Sequence, residues 1–393
     1  MKIKSFFQDV LSSAQVTKRR REAIKRASLV PDGKDPIGEV ARALHPGKIK
    51  VRLSSIRSVS PSGKTLTFEA VDVALPYFKA GQYMTLEVPY LGSIITRTYS
   101  ISSAPYETRG EHPFVEITIK RLKKDGLVSD YLLDEAKVGD EFIAEIGLGQ
   151  FFHEPLRDST DLVFLAGGSG VTPFHSMIKE MKKSHPDYRI TLIYGSRNKD
   201  DILLRKELDS LDGDNVRIVY VLSEADSSWD GETGFLSANL IRKYSYEDST
   251  YFICGPQPMY DYVLSQLKEL SVPERRIRHE ENGQNCEISA FPGYPLQAKD
   301  KVFHILVKRG VKEDLIEARA DESIAVSLER AGIKIHIGCR SGACGFCRLK
   351  VEQGTYFVSP HTDYRRAADK EFSYVHACST YPTSDLVIRT NID

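Results

Sequence analysis

Short alternations of apolar and polar residues dominate residues 47–155. Six stretches alternate in this way, turn-rich segments such as SPSGK separate them, and LVSDYLLDEA alone has convincing helical spacing. Short, regularly spaced strands with little helix are typical of an antiparallel barrel or sandwich. We therefore predict an antiparallel β-barrel. The six predicted strands are KIKVRLSSI, KTLTFEAVD, QYMTLEVP, ITRTYSIS, FVEITIKRL and EFIAEI.

The pattern changes in residues 156–285. Continuously apolar, β-branched runs end in small or turn residues, as in LVFLAGG, RITLIYGS, VRIVYVLS and TYFICGP. Helical stretches such as PFHSMIKEMKK and MYDYVLSQLKEL lie between or after them. Uninterrupted apolar strands that alternate with helices are typical of a parallel sheet covered on both faces. This segment is therefore predicted to be a parallel α/β domain.

Three further segments complete the predicted organisation. Residues 301–393 mix strands with one helix, SIAVSLERAG, and residues 286–300 hold two prolines without periodicity, as an interdomain linker would. Residues 1–46 form a predicted helical extension that contains the basic run KRRREAIKR. Two uses of the extension stay open: a helix packed on the body, or a docking helix for a partner or an anionic membrane surface. The predicted division is 1–46, 47–155, 156–285, 286–300 and 301–393.

Composition narrows the function classes. The chain has 393 residues, and its 54 Lys+Arg balance 54 Asp+Glu, which gives no reason to expect nucleic acid as a ligand. It lacks an apolar run long enough to span a bilayer. The N-terminal segment lacks the long apolar region of a signal peptide, so we expect a cytoplasmic protein with reduced thiols.

Four of the six cysteines fall near the C-terminus. Three occupy one loop, IGCRSGACGFC, with the spacing C-x4-C-x2-C, and the fourth follows in VHACSTYP. This is the plant-type spacing of a 2Fe-2S cluster. A structural zinc site is the alternative, although zinc usually takes two separate cysteine pairs. Cys254 and Cys286 are not expected to be ligands; the candidate ligands are Cys339, Cys344, Cys347 and Cys378.

The motif RTYS, residues 97–100, follows GQY and precedes GLVS in residues 48–285. This ordered set resembles the ferredoxin–NAD(P)+ reductase superfamily. The resemblance implies a flavin bound by Arg97, Thr98, Tyr99 and Ser100. In this arrangement the guanidinium group of Arg97 binds a flavin phosphate. It also implies a pyrophosphate at the helix that Gly126, Val128 and Ser129 open, and Lys120 and Arg121 along the flavin. FAD is favoured and FMN stays open.

A second set of motifs resembles the nicotinamide site of the same superfamily. FLAGGSGVTPF follows an apolar strand and opens a helix, which is the context that a glycine fingerprint requires. The resemblance places Thr172 at the junction of nicotinamide and flavin. Ser196 and Arg197 suit a 2′-phosphate, whereas the following Asp200 and Asp201 oppose one, so NADH is weakly favoured over NADPH. The fingerprint residues are Gly168, Gly170 and Pro173.

The third match is CGPQPM, with Cys254, Gly255, Pro256 and Met259 in the family positions. The resemblance places Cys254 near the nicotinamide, although a buried small hydrophobe is the common role of cysteine. RIRHEENG resembles the motif that ends the nicotinamide domain and contributes Glu280, but an aromatic that many relatives carry two positions on is absent. The catalytic candidates around the junction are Ser100, Cys254 and Glu280.

The order of flavin barrel, nicotinamide domain and C-terminal plant-type ferredoxin domain resembles the reductase components of bacterial oxygenases. It implies a β-grasp ferredoxin fold and electron transfer from NAD(P)H through flavin to a 2Fe-2S cluster and a partner protein. An oxygenase-type component or an anaerobic redox enzyme would fit as the partner. Two other interpretations are a self-contained flavin reductase fed through the ferredoxin domain and a non-enzymatic zinc-binding scaffold.

Overall fold

The computed structural model describes residues 6–27, 35–44, 47–90, 93–121, 126–279, 288–360 and 363–390. The chain divides into two compact units, Met1–Pro46 and Gly47–Asp393. The described residues of the first unit form two helices, α1 (Phe6–Arg26) and α2 (Pro36–Leu44). Within the described ranges, no helix combines the length and the apolar character needed to cross a membrane.

The second unit begins with an antiparallel sheet in the order β4-β3-β6-β1-β2-β5. Buried Ile49, Val51 and Leu53 alternate with exposed basic residues on β1, which is the period of a strand with one face in a core. A bridge between Ile101 and Ile117 joins the two edges, so the sheet closes as predicted. The elements are β1 (Lys48–Ser60), β2 (Gly63–Ala70), β3 (Tyr83–Tyr90), β4 (Ser93–Ser100), β5 (Val115–Lys120), α3 (Leu127–Asp134) and β6 (Glu141–Leu148).

A parallel sheet in the order β10-β9-β8-β7-β11-β12 follows. Along β7, Leu162 and Phe164 belong to one apolar cluster while Val163 and Leu165 belong to another. Both faces of the strand are therefore buried, which explains its uninterrupted apolar run. The elements are β7 (Asp161–Gly167), α4 (Thr172–Ser184), β8 (Arg189–Ser196), α5 (Arg205–Leu211), β9 (Val216–Leu222), β10 (Glu232–Thr233), α6 (Ala238–Tyr244), β11 (Thr250–Cys254), α7 (Gln257–Glu269) and β12 (Ile277–His279).

The C-terminal part is a mixed sheet in the order β14-β13-β19-β15-β17, with the pair β16 and β18 beside it. Besides the expected helix α8 it contains a second short one, α9, so the expectation of one helix here is wrong. The elements are β13 (Val302–Arg309), β14 (Lys312–Arg319), α8 (Ile324–Arg330), β15 (Arg348–Gln353), β16 (Tyr356–Val358), α9 (Ala367–Glu371), β17 (Tyr374–His376), β18 (Thr380–Pro382) and β19 (Leu386–Thr390).

The described part of the segment before β13 packs closely. Ile288, Phe291 and Tyr294 are buried in one cluster with Tyr381. The Tyr294 hydroxyl donates a hydrogen bond to the carbonyl of Ala320 at 3.3 Å. This segment is therefore anchored on the C-terminal part of the chain, although its sequence shows no periodicity.

Candidate functional site

The two nicotinamide motifs meet at the carboxyl ends of β7 and β11. These strands are parallel neighbours, and Cys254 lies opposite Ala166. A Cβ atom built on Gly170 would lie 2.1 Å from the carbonyl oxygen of Cys254, so only glycine permits this approach. The order of the sheet reverses between β7 and β11, and such switch points are where parallel α/β sheets bind ligands.

The loop between β7 and α4 leaves space beside its first glycine. Gly168 has a φ of +54°, and a Cβ atom there would meet no atom within 4 Å. The hydroxyl of Tyr194 donates to the Gly168 carbonyl at 2.9 Å, and burial raises the pKa of Tyr194 to about 12. The Thr172 hydroxyl donates to the carbonyl of Ser169 at 3.1 Å and closes the turn into α4. This open glycine turn at a helix start fits a dinucleotide pyrophosphate.

Met259 and Pro256 pack against the same turn. A Cβ atom on Gly167 would lie 2.3 Å from the Met259 sulfur and 3.1 Å from the Pro256 ring. A Cβ atom on Gly255 would also crowd the Met259 sulfur, at 2.6 Å. The second motif therefore supports the turn of the first.

Helix α4 also contacts the flavin motif. The His175 Nδ1 donates to the carbonyl of Ser102 at 2.8 Å, and the Ser176 hydroxyl donates to the carbonyl of Ser103 at 2.6 Å. Both carbonyls lie just after the end of β4 at Ser100. Burial lowers the pKa of His175 to about 4, so its ring is neutral near neutral pH. The start of the nicotinamide domain is thereby fixed against the end of the RTYS strand.

The RTYS residues lie on β4, half-buried at the edge of the barrel sheet. Burial raises the pKa of Tyr99 to about 12. The Arg97 Nη1 donates to the Glu329 carboxylate at 2.9 and 3.2 Å. Lys120 forms an ion pair with Asp201 at 2.9 Å, which links the barrel to the nicotinamide domain.

The expected pyrophosphate helix begins as predicted. α3 follows Gly126, and the Ser129 hydroxyl donates to the Gly126 carbonyl at 3.3 Å, while Val128 is buried in the barrel core. The Asp130 carboxylate accepts from the Gly126 N–H at 2.9 Å. Arg121 donates to the same carboxylate at 3.3 Å. These bonds fix the helix start and engage Arg121 there.

The candidate 2′-phosphate residues follow β8. Ser196 is buried at the strand end, and Arg197 pairs with Glu224 at 3.6 Å. The Asn198 side chain accepts from the N–H groups of Asp200 and Asp201, both at 3.1 Å. The Glu224 carboxylate therefore competes with a 2′-phosphate for Arg197, and NADH stays the favoured prediction.

The four candidate ligand cysteines come together. Cys347 and Cys378 have their sulfurs 3.3 Å apart. The Cys344 N–H donates to the Cys339 sulfur at 3.3 Å, and the Cys339 N–H donates to the Cys344 sulfur at 3.5 Å. Hydrogen bonds from the Cys344 and Cys378 thiols lower the pKa of Cys339. The described residues include no set of three or more His, Cys, Asp or Glu that could hold a single metal ion, and the clearest sulfur contacts are pairwise.

Strand pairing explains how the distant fourth cysteine arrives. β15 begins at Arg348, directly after Cys347, and Arg348 lies opposite His376 at the end of β17. The Ala377 N–H donates to the Cys347 carbonyl at 3.0 Å, which places Cys378 beside Cys347. Two cysteine pairs lined by backbone N–H groups suit a binuclear cluster, in which each iron takes two thiolates.

The cluster loop has one buried and one exposed side. Arg340 adopts a φ of +59° and is 3% exposed, and Cys339 beside it is also buried. Cys344 is exposed, and Phe346 next to it is 70% exposed. A Cβ atom on Gly338 would lie 2.8 Å from the Phe346 ring, so the exposed ring would have to shift to admit a side chain there.

Two predicted positions lie outside the described residues. Glu280 and Cys286 belong to residues 280–287, which the structure does not describe. The proposed roles of the remaining site residues stay predictions, although the structure brings their motifs together at the strand ends.

Comparison with known proteins defines the three parts of the second unit. Residues 50–153 match an oxidoreductase FAD-binding domain, residues 164–265 an oxidoreductase NAD-binding domain, and residues 310–383 a 2Fe-2S iron-sulfur cluster binding domain. These matches define a flavin- and nicotinamide-dependent oxidoreductase with an iron–sulfur domain. The expected cofactors FAD, NAD(P)H and a 2Fe-2S cluster are thereby confirmed.

Individual relatives place the chain in a family. It is 31% identical over 241 residues to ferredoxin–NADP reductase B of Sorangium cellulosum, covering 59% of this chain and 96% of that protein. It is 26% identical over 358 residues to the glycine betaine monooxygenase reductase subunit of Chromohalobacter salexigens, covering 87% and 95%. The fold matches phthalate dioxygenase reductase with a TM-score of 0.64 at 22% identity, covering 88% and 98%.

The chain belongs to the ferredoxin–NAD(P)+ reductase superfamily, as a member with a C-terminal 2Fe-2S ferredoxin domain. It is an NAD(P)H-dependent reductase that passes electrons through flavin to a 2Fe-2S cluster and on to a partner protein.

Sequence reasoning missed three contact residues. His175 joins α4 to the barrel, and Glu329 and Arg340 join the cluster loop to β4. His175 stands two positions after the Pro of the glycine motif, which could have drawn attention to it. Glu329 had no local signal, because its partner Arg97 is 232 positions away.

Proposed function

We propose that the electrons leave this protein for an oxygenase component in the cytoplasm. The exposed Cys344 and Phe346 at the cluster carry this proposal, because they give a protein acceptor access to one edge of the loop. The domain order and the monooxygenase reductase subunit among the relatives favour an oxygenase over other acceptors. A cytoplasmic site agrees with four reduced cysteines as ligands.

The flavin site is proposed on the barrel. Arg97 and the N–H groups at the start of α3 are suited to phosphate oxygens, and Tyr99 offers a flat face for a ring system. Lys120, tied to Asp201, borders this site from the nicotinamide side. The proposed flavin-binding residues are Arg97, Thr98, Tyr99, Ser100, Lys120, Gly126, Val128 and Ser129.

The nicotinamide site is proposed at the ends of β7 and β11. The glycine turn admits a pyrophosphate close to the backbone, and Thr172 and Cys254 stand where the two motifs meet. Ser100, Cys254 and Glu280 are the proposed polar groups around the reacting atoms. The proposed nucleotide-binding residues are Gly168, Gly170, Thr172, Pro173, Ser196, Arg197, Cys254, Gly255, Pro256 and Met259.

The protein's contribution to the reaction is orientation. When bound, the flavin accepts the two electrons of a hydride and the cluster passes them on singly. The bonds from His175 and Ser176 hold the nucleotide turn against the end of β4. The pairing of β15 with β17 brings the fourth thiolate to the loop. Hydride transfer needs no dedicated acid or base, so we assign none.

A Cys344→Ser variant tests the electron path. We expect unchanged flavin reduction by NADH and loss of NADH-driven turnover by an oxygenase component, because a thiolate ligand of the cluster is removed. Flavin and cluster absorbance, followed anaerobically, report the first step, and oxygenated product reports the second. Cys254→Ser in the same assay should affect flavin reduction instead.

Two results would argue against this function. If Cys344→Ser delivered electrons to the oxygenase component at the wild-type rate, the cluster would not be part of the electron path. Direct reduction of a small molecule by the intact protein, with no turnover of oxygenase components such as that of glycine betaine monooxygenase, would favour the self-contained flavin reductase. Delivery to an oxygen-independent enzyme alone would favour the anaerobic partner.

A further inference from the structure

Three charged side chains meet where the cluster loop contacts the barrel. Glu329, on α8, accepts from the Arg97 Nη1 at 2.9 Å and also from the Arg340 Nη2. The Arg340 Nε donates to the carbonyl of Thr96 on β4 at 2.7 Å. Arg340 directly follows the cluster ligand Cys339, and Arg97 opens the RTYS motif. The triad of Arg97, Glu329 and Arg340 therefore connects the cluster loop to the flavin strand by hydrogen bonds alone.

The triad is largely buried from solvent. The side chains of Glu329 and Arg340 are each 3% exposed, and that of Arg97 is 17% exposed. Burial and the neighbouring Arg340 charge lower the pKa of Arg97 to about 10, which still leaves it charged near neutral pH. Buried ion pairs contribute little net stability compared with apolar packing, so stability alone does not explain why three charged groups are buried here.

The triad also carries an excess positive charge, because two guanidinium groups face one carboxylate. Buried charges need compensation. Arg97 is the proposed partner of a flavin phosphate, and Arg340 directly follows a cysteine ligand of the cluster in the sequence. The phosphate and the thiolates are anionic, so each can compensate part of the surplus positive charge.

We propose that Arg340 and Glu329 are positioning residues for the electron step from flavin to cluster. They hold the Cys339 edge of the cluster loop against β4, and so set the separation of the two centres. In this step one electron leaves the reduced flavin and reduces the cluster. The proposal depends on the flavin binding at RTYS, as proposed above.

The chain supplies a control where the cluster loop enters β15. Arg348 directly follows the cluster ligand Cys347 and donates to the Asp369 carboxylate at 2.7 Å. Like Arg340, Arg348 follows a ligand by one position and pairs with a carboxylate, but its side chain is 42% exposed and Asp369 lies on α9 of the same domain. Removing Arg348 therefore removes a charge near the cluster without removing a contact to the barrel.

The test compares Arg340→Met, Arg340→Lys, Glu329→Gln and Arg348→Met in the flavin- and cluster-loaded protein. Anaerobic stopped-flow mixing with NADH follows flavin reduction and then cluster reduction by their separate absorbance. Iron content and the EPR spectrum of the reduced cluster report its integrity. A spectroelectrochemical titration gives the cluster potential of each variant.

We expect unchanged flavin reduction in all four variants. Cluster reduction should slow about tenfold or more in Arg340→Met and Glu329→Gln, because small displacements of reacting groups have large effects on rate. Arg340→Lys, which keeps the charge but not the fork, should keep the wild-type potential and still be slower than wild type. Arg348→Met should shift the potential less than Arg340→Met, because solvent screens the more exposed Arg348 charge, and should leave the rate of cluster reduction near the wild-type value.

Several outcomes would overturn the proposal. Wild-type rates of cluster reduction in both Glu329→Gln and Arg340→Met, with full iron content, would show that the triad does not position the centres. If Arg348→Met slowed cluster reduction as much as Arg340→Met, the cause would be the loss of a positive charge near the cluster and not the loss of a contact to the barrel. If Arg340→Met loses iron, its rate cannot be interpreted. The rate of cluster reduction in Glu329→Gln, a change outside the loop, then decides whether the triad positions the centres. Failure of both NADH and NADPH to reduce the flavin of the wild-type protein would contradict the proposed function instead.

Discussion

At the scale of single residues, the glycines of the nucleotide turn show how closely sequence and geometry agree. Gly170 lies against the backbone of Cys254, whereas Gly168 faces open space. The glycine spacing and the cysteine spacing could both be identified from the sequence, because each depends on local chemistry. The partner of Arg97 could not, since a carboxylate 232 positions away leaves no local pattern.

Gly170→Ala should impair nucleotide binding. The added Cβ atom would lie 2.1 Å from the Cys254 carbonyl oxygen, so the backbone of one motif must move. We expect a higher KM for NADH and a loss of about 1–3 kcal/mol in the free energy of unfolding, as for overpacking elsewhere. Steady-state kinetics and urea unfolding measure the two effects.

Gly110→Ala is the matched control, because a Cβ atom there meets nothing within 4 Å. Its KM and stability should stay at the wild-type values. An unchanged KM and stability in Gly170→Ala would show that the turn can shift freely, and the steric role of this glycine would be wrong.

At the scale of elements, periodicity predicted the barrel strands, the longer parallel strands and the helices α3, α4, α7 and α8. Alternation identified the barrel strands, and continuous apolar runs identified the strands buried on both faces. The five-residue helix α9 was not predicted, because it is shorter than two turns and has no apolar stripe. The sequence pattern also did not predict which elements pack together. The contact of α4 with the end of β4 is the main example.

The contact of His175 with the end of β4 should make the free energy of unfolding depend on pH. The pKa of His175 is about 4 when folded against an ordinary value of 6.5, so the unfolded chain binds the proton more readily. Stability from this group is present above pH 6.5 and is lost as the pH falls toward 4, by about 3 kcal/mol at most.

The variant His175→Asn isolates this contribution. Its amide nitrogen can take the place of the ring Nδ1 that donates to Ser102, but it does not titrate. Urea unfolding at neutral and at acidic pH should show a smaller loss of stability in the variant than in the wild type. An equal loss in both proteins would mean that other groups cause the acid sensitivity.

At the scale of the whole molecule, the described functional motifs lie in Gly47–Asp393, and Met1–Pro46 forms a separate compact unit. The cluster cysteines, the barrel strand and the nucleotide turn are all held within the larger unit. The zero net charge of the chain gives no overall electrostatic preference for a partner, so recognition depends on local surfaces.

Deletion of residues 1–46 should therefore leave NADH-dependent reduction of flavin and cluster unchanged. Absorbance after addition of NADH and the apparent Tm measure activity and folding. Comparison of oxygenase turnover with and without the segment then separates the two uses of the extension: reduced turnover with normal cluster reduction indicates docking. Loss of cluster reduction would show that the larger unit depends on the segment.

The exposure of Cys344 has a consequence for the lifetime of the protein in air. Among the four cysteines that gather at the loop, Cys339, Cys347 and Cys378 are buried and Cys344 is exposed. Oxidants attack accessible thiolates first, through sulfenic acid to forms that no longer bind iron. The side of the loop that offers an acceptor its access is therefore also the side where peroxide damage begins.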